Sequence, residues 1–185
     1  MGPVACLISN YQRFVSLPWA PSLAGKQRVW LAVYPPSEER RVRANLQEFE
    51  NATREAGHGW KLVDVTNAVP EWLASLEERD AYFSEPEFLS DTQALEDRVV
   101  ETIRSTCLSP NASEKTVVCV LGVGTLFDFV RISHILEKSE DAIRGRMLVL
   151  FPGEHQHNTY RFMNARDGFN YLAAPITCTN NPLVQ

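Results

Sequence analysis

Val117-Val118-Cys119-Val120-Leu121-Gly122-Val123-Gly124-Thr125 is an apolar run that stops on two glycines. A nearly unbroken apolar stretch of this length fits a central strand covered on both faces. The glycines fit a tight turn out of that strand, where a Cβ would obstruct the backbone. Downstream, Phe129, Ile132, Leu136, Ser139 and Ile143 follow the 3.6-residue period of a helix, which Gly145 ends. Met147–Phe151 is a second apolar run, and Pro152-Gly153-Glu154 after it reads as a tight turn. Strand, helix and strand in that order form a parallel pair with a crossover helix.

The rest of the chain extends the alternation. Arg28–Tyr34 is rich in strand formers and is stopped by Pro35-Pro36. Ser37 can cap a helix whose Val42, Leu46, Phe49 and Thr53 face inward, with Glu39/Arg43 and Glu50/Arg54 paired outside. Gly57 and Gly59 close it, and Trp60–Val65 reads as the next strand. Thr66 or Asn67 opens a helix carrying Trp72, Leu73 and Leu76. After a Ser84–Leu89 linker, Ser90 and Gln93 give a capping-box pattern before a helix that buries Leu95, Val99 and Ile103. Thr125 and Asp128 read as a capping pair, and Asn170–Ile176 as a fifth strand. The expectation is an α/β fold with an open, mainly parallel sheet of four to five strands and helices on both faces, a Rossmann-like three-layer sandwich. A single domain spans 1–185. Residues 1–26 form an N-terminal extension with a short helix near Ser9–Leu17, and 177–185 a flexible tail.

Composition narrows the function. With 18 Lys and Arg against 23 Asp and Glu, the net charge of −5 makes nonspecific nucleic-acid binding a poor expectation. Acid is concentrated between Leu76 and Glu101, which reads as a solvated surface or a docking face for a basic partner. No apolar run is long enough to cross a bilayer, and Val4–Ile8 lacks the basic residues of a secretory signal, so a cytoplasmic location is expected. Cys6, Cys107, Cys119 and Cys178 lie far apart, which suggests buried thiols in a reducing compartment, with neither a disulfide framework nor a zinc knuckle.

Gly122-Val123-Gly124-Thr125 sits where α/β proteins hold anions. A phosphate loop, however, needs a Gly-Lys-Ser/Thr ending that is absent, and Asp128 stands where a dinucleotide fingerprint has its third glycine. The first reading is therefore a structural turn, and the second an anion or partner site. Arg131 and His134 share a helical face that Lys138 continues; Arg131 pairs with Asp128, or reaches Glu154 or a ligand anion. Glu154, His155 and His157 bind metal only if another ligand arrives, for which His134 is the nearest candidate; they read more simply as a polar loop. No nucleophile is evident, because Cys119 lies inside a strand and no serine sits in an elbow pattern. Tyr160, Phe162, Phe169 and Tyr171 with Arg161 and Arg166 suit either cover for the sheet edge or a protein interface. The candidate ligand or partner residues are Gly122, Gly124, Thr125, Arg131, His134, Gly153, Glu154, Arg161 and Tyr171. No catalytic group, metal or cofactor is expected.

Taken together, these motifs resemble the BrxB family, a small component of the BREX bacteriophage-exclusion systems. The resemblance rests on Leu121-Gly122-Val123-Gly124, the Arg131 and His134 pair, Phe151-Pro152-Gly153-Glu154 and the aromatic Tyr160–Ile176 segment, with Val33-Tyr34-Pro35-Pro36 and Val63-Asp64-Val65 in the matching order. It implies an intracellular anti-phage role without established catalysis, as a non-enzymatic adaptor. Its implied partners are a large ATPase, a phosphatase-like PglZ protein and a DNA methyltransferase, with DNA reached only through the complex and no membrane contact. The alternative is a small nucleotide- or anion-binding enzyme or sensor using Arg131, His134 and Glu154 at the sheet edge.

Overall fold

Val29–Tyr34, Thr116–Leu121 and the first eight residues of Arg146–Gln156 are buried at every position, which puts these strands in the middle of a sheet. The computed structural model describes residues 2–77, 79–85 and 91–178. Its elements run α1 (Pro3–Val15), β1 (Val29–Tyr34), α2 (Glu39–Ala44), α3 (Leu46–Glu55), β2 (Gly59–Asp64), α4 (Ala68–Ser75), α5 (Arg79–Ser84), α6 (Gln93–Cys107), β3 (Thr116–Leu121), α7 (Ile132–Ser139), β4 (Arg146–Gln156), β5 (Thr159–Phe162) and β6 (Ala174–Ile176). The parallel sheet has the order β2-β3-β4-β1-β6, and β5 pairs antiparallel with the far end of β4. This is the mostly parallel, Rossmann-like arrangement expected, with helices on both faces.

Period-two alternation divides the core into two layers. Val29, Leu31, Val33, Val118, Val120, Met147, Val149 and Phe151 face α4, α6, α7 and the β5 hairpin. Trp30, Ala32, Tyr34, Val117, Cys119, Leu121, Leu148 and Leu150 face α1, α2 and α3. On α1 the buried Val4, Leu7, Tyr11 and Val15 fall at helical spacing, and each contributes about 2 kcal/mol of apolar burial. Tyr11 is fully buried, and its hydroxyl donates to Thr53 Oγ1 at 2.5 Å, while the Thr53 hydroxyl donates to the Phe49 carbonyl at 2.8 Å. No described helix is long and apolar enough to cross a membrane.

Several local expectations change. The first helix begins at Pro3, not Ser9, because proline at the first helical position costs no hydrogen bond. Ser37 lies in a 3-10 turn and caps nothing, and the following helix breaks at Asn45 into α2 and α3. The Glu39–Arg43 and Glu50–Arg54 pairs form, each at 2.7 Å. Gly57, at φ +82°, closes α3 with His58 N–H on the Thr53 carbonyl (3.1 Å) and its own N–H on the Arg54 carbonyl (2.9 Å). A further helix, α5, takes up only Ser84 of the expected linker, whose residues 86–89, like Ser90, lie outside the described residues; Asp91 Oδ1 accepts from Gln93 N–H at 3.0 Å, and Thr92 is the residue before α6. The glycine turn leads into a four-residue 3-10 turn, Val123–Leu126, and α7 starts only at Ile132. Asp128 is accordingly no cap: it adopts a left-handed conformation at φ +67°.

The largest change is at Pro152-Gly153, which does not turn. β4 continues through it to Gln156, exchanging its parallel neighbour Tyr34 at Pro152 for antiparallel pairing of Gly153 with Phe162. The reversal comes at His157-Asn158, where both residues have positive φ (50° and 61°), as a two-residue hairpin requires. The cysteines also depart from expectation: Cys107 and Cys119 are buried thiols, but Cys6 and Cys178 are joined as a disulfide.

Candidate functional site

In open parallel sheets, ligands gather beyond the carboxyl ends of the strands. Here that edge is formed by Tyr34, Asp64 and Leu121, with β4 running past them. Asp64 Oδ1 accepts from the backbone N–H of Thr66 at 2.9 Å and from its hydroxyl. Thr66 packs against Gly122, which holds φ +89°; a Cβ there would lie 2.7 Å from the Thr66 nitrogen. The Thr125 hydroxyl and N–H both turn back to the Gly122 carbonyl, at 2.9 and 3.1 Å. Gly124 lies under the β4 extension, where an added Cβ would sit 3.3 Å from Pro152 Cγ. Met163 N–H then ties the hairpin down through the Pro152 carbonyl at 2.8 Å. The chain's own hairpin thus covers the glycine turn, and a small cavity of about 230 Å³ remains at the end of β2 beside Asp64 and Asn67. The turn offers a short 3-10 segment in place of a long helix start.

The polar candidates make separate contacts. His134 Nδ1 lies 3.6 Å from Glu96 Oε2, and Lys138, one helical turn on, places Nζ 2.7 Å from Glu96 Oε1. Glu96 is 8% exposed, so these two bases on α7 brace the α6–α7 seam. The Lys138 ammonium is pushed up by its hydrogen bond to Glu96. Glu154 faces Arg161 across the β4–β5 ladder at 3.7 Å. Gly153 is tightly enclosed there: a Cβ would meet Phe151 Cε1 at 2.8 Å. Tyr171 donates to Glu140 Oε2 at 3.1 Å beneath Lys26, and burial followed by Glu140 pushes its hydroxyl pKa up. His155 packs on Tyr160, with centroids 4.5 Å apart, and burial lowers its pKa, while His157 occupies the hairpin turn. Among the described residues no group of three or more His, Cys, Asp and Glu side chains is placed to hold a metal ion. Burial drives the Cys119 thiol far above its ordinary range and the Cys107 thiol to about 11.

Arg131 lies elsewhere, at the residue before α7, where its carbonyl accepts from His134 and Ile135 N–H. Its exposed side chain lines a groove of about 720 Å³ between segments 127–133 and 162–169. Phe127, Phe129, Phe162 and Phe169 make the apolar part, and the Phe127 and Phe162 rings meet edge to face at 5.7 Å. Arg131 and Arg166 share the groove with Asp128 and Asp167, and neither arginine has an ion pair among the described residues. Phe129, expected on a helix face, lies ahead of α7 and lines the groove with Phe127. The signal present was a pair of aromatic residues bracketing Asp128, a lone charge in an otherwise apolar stretch.

The model of the family described as BREX protein BrxB matches residues 64–175, more than half of the chain. The chain belongs to the BrxB family. The match opens at the end of β2 and closes within β6, so it contains the glycine turn, the α6–α7 seam, the β4–β5 hairpin and the aromatic groove. No curated protein and no solved structure gives a significant match.

Proposed function

We propose that this BrxB-family chain is a non-enzymatic adaptor of a BREX-type anti-phage assembly, and that the groove around Phe127 and Phe169 receives its partner. The observation that carries this reading is a contrast between two surfaces. At the carboxyl edge of the sheet, Asp64, Thr66, Thr125 and Glu154 are engaged with the chain itself. In the groove, aromatic surface lies beside two arginines without ion pairs among the described residues. The occupant this chemistry fits is a protein segment with an apolar anchor for the phenylalanines and carboxylates for Arg131 and Arg166. A PglZ-like protein, the large ATPase or the DNA methyltransferase would supply that segment, and DNA would be met through the complex. A sensor built on Arg131, His134 and Glu154 has less support, since the three contact α6, the hairpin and the groove separately.

The test is charge reversal in the native host with Arg131→Glu and Arg166→Glu combined. Thermal unfolding of the purified variant should match the parent, because both side chains are exposed. Recovery of co-purifying defence proteins should fall about tenfold or more, with loss of phage protection. Unchanged recovery by the folded variant would reject the groove as the docking surface.

A further inference from the structure

The disulfide joins two residues 172 positions apart, and both lie outside the segment that matches the family. Cys6 is half-buried on the first turns of α1, and Cys178 is exposed just after β6, with Cα atoms 5.5 Å apart. Asn10 stands one helical turn beyond Cys6 and donates through Nδ2 to the Thr177 carbonyl at 2.7 Å. One face of α1 therefore grips the backbone leaving β6 at two successive points. The strand itself has three residues and, among the described residues, pairs with β1 alone, through Trp30, Leu31 and Ala32. Pro175 removes one backbone donor from it. Beyond this short ladder and the burial of Ile176, the covalent link adds a further hold on β6.

We propose that Cys6 and Cys178 form a thiol–disulfide switch that sets how firmly β6 is held against α1 and β1, with a low-molecular-weight disulfide such as glutathione disulfide as the oxidant. The Cys178 thiolate attacks one sulfur of glutathione disulfide, forming a mixed disulfide and expelling a glutathione thiolate. The Cys6 thiolate then attacks Cys178 Sγ and expels the second glutathione. The two protons lost by the cysteines are taken up by the two glutathiones, and the protein pair is oxidised as glutathione disulfide is reduced. Cys107 and Cys119 are buried and stay out of the exchange. The device goes beyond the adaptor reading and is independent of the groove.

The experiment equilibrates the full chain in glutathione buffers from reducing to oxidising poise, then reads thiol alkylation by peptide mass spectrometry and amide exchange by residue. Oxidation should protect Cys6 and Cys178 together as one intramolecular bond while Cys107 and Cys119 keep their thiols. Exchange at residues 174–178 should slow about tenfold or more in the oxidised form, and Cys6→Ser should abolish that dependence while remaining folded. Cysteines that stay alkylatable at every poise would overturn the proposal. So would oxidation only to mixed or intermolecular disulfides, or exchange that is the same in both forms.

Discussion

His58 stacks on Trp19 with ring centroids 3.7 Å apart, close to the amino end of the sheet where Arg146 lies 4.9 Å from the same indole. Arg146 is buried and has no carboxylate partner among the described residues; its guanidinium donates to the carbonyls of Gly145 and Ala20. Burial lowers the His58 pKa; the Lys115 carbonyl opposes it, the charges of Lys115 and Arg146 lower it further, and the Val15 carbonyl raises it least. In the unfolded chain the imidazole takes up its proton near the ordinary value of 6.5, while the folded state resists until lower pH. Stability is therefore full above 6.5 and falls as pH drops through that value towards the folded pKa. Half-buried His155 acts in the same direction. Thermal unfolding from pH 7 to pH 5 should show a declining midpoint, and His58→Phe, which keeps a ring on Trp19, should flatten the decline. A second residue-scale test is Gly122→Ala. The positive φ and the approach to Thr66 should make it cost about 2 kcal/mol or more in urea unfolding, whereas an ordinary surface alanine costs little.

At the scale of elements, the sequence was most readable where burial alone decides the outcome. Thr116–Leu121 is a strand that contains the apolar run Val117–Leu121, because such a run between turn residues has no other stable use. Val29–Tyr34 differs from its expected start by one residue for the same reason. Misreading concentrated on β4, where Pro152-Gly153 signals a stop. The strand passes through because proline sits at a change of ladder partner and glycine fits against Phe151 and Arg161. Tertiary packing outweighed local propensity there. The hairpin supplies its own prediction. His157 and Asn158 both hold positive φ, which asparagine and glycine adopt at lower cost. The double change His157→Asn and Asn158→Gly should stabilise the chain by about 1 kcal/mol in urea titration, without altering the fold.

On the scale of the whole molecule, the fold class and family were legible because motif order survives where any single motif is weak. The site was less legible. Arg131, His134 and Glu154 lie close together in a linear reading, but α7 starts late and β4 runs long, and these two shifts carry them into different surroundings. The groove depends on residues 127–133 and 162–169 meeting in space, which no periodicity encodes. What emerges is a parallel sheet whose glycine turn is covered by its own hairpin, with an aromatic groove beside it that carries two arginines and two aspartates. The most direct test is quantitative recovery of the tagged chain from its native host, with mass spectrometry of co-eluting proteins. An adaptor predicts near-stoichiometric recovery of at least one large BREX component, the PglZ-like protein, the ATPase or the methyltransferase. Recovery of the chain alone, at native expression and low salt, would contradict the account.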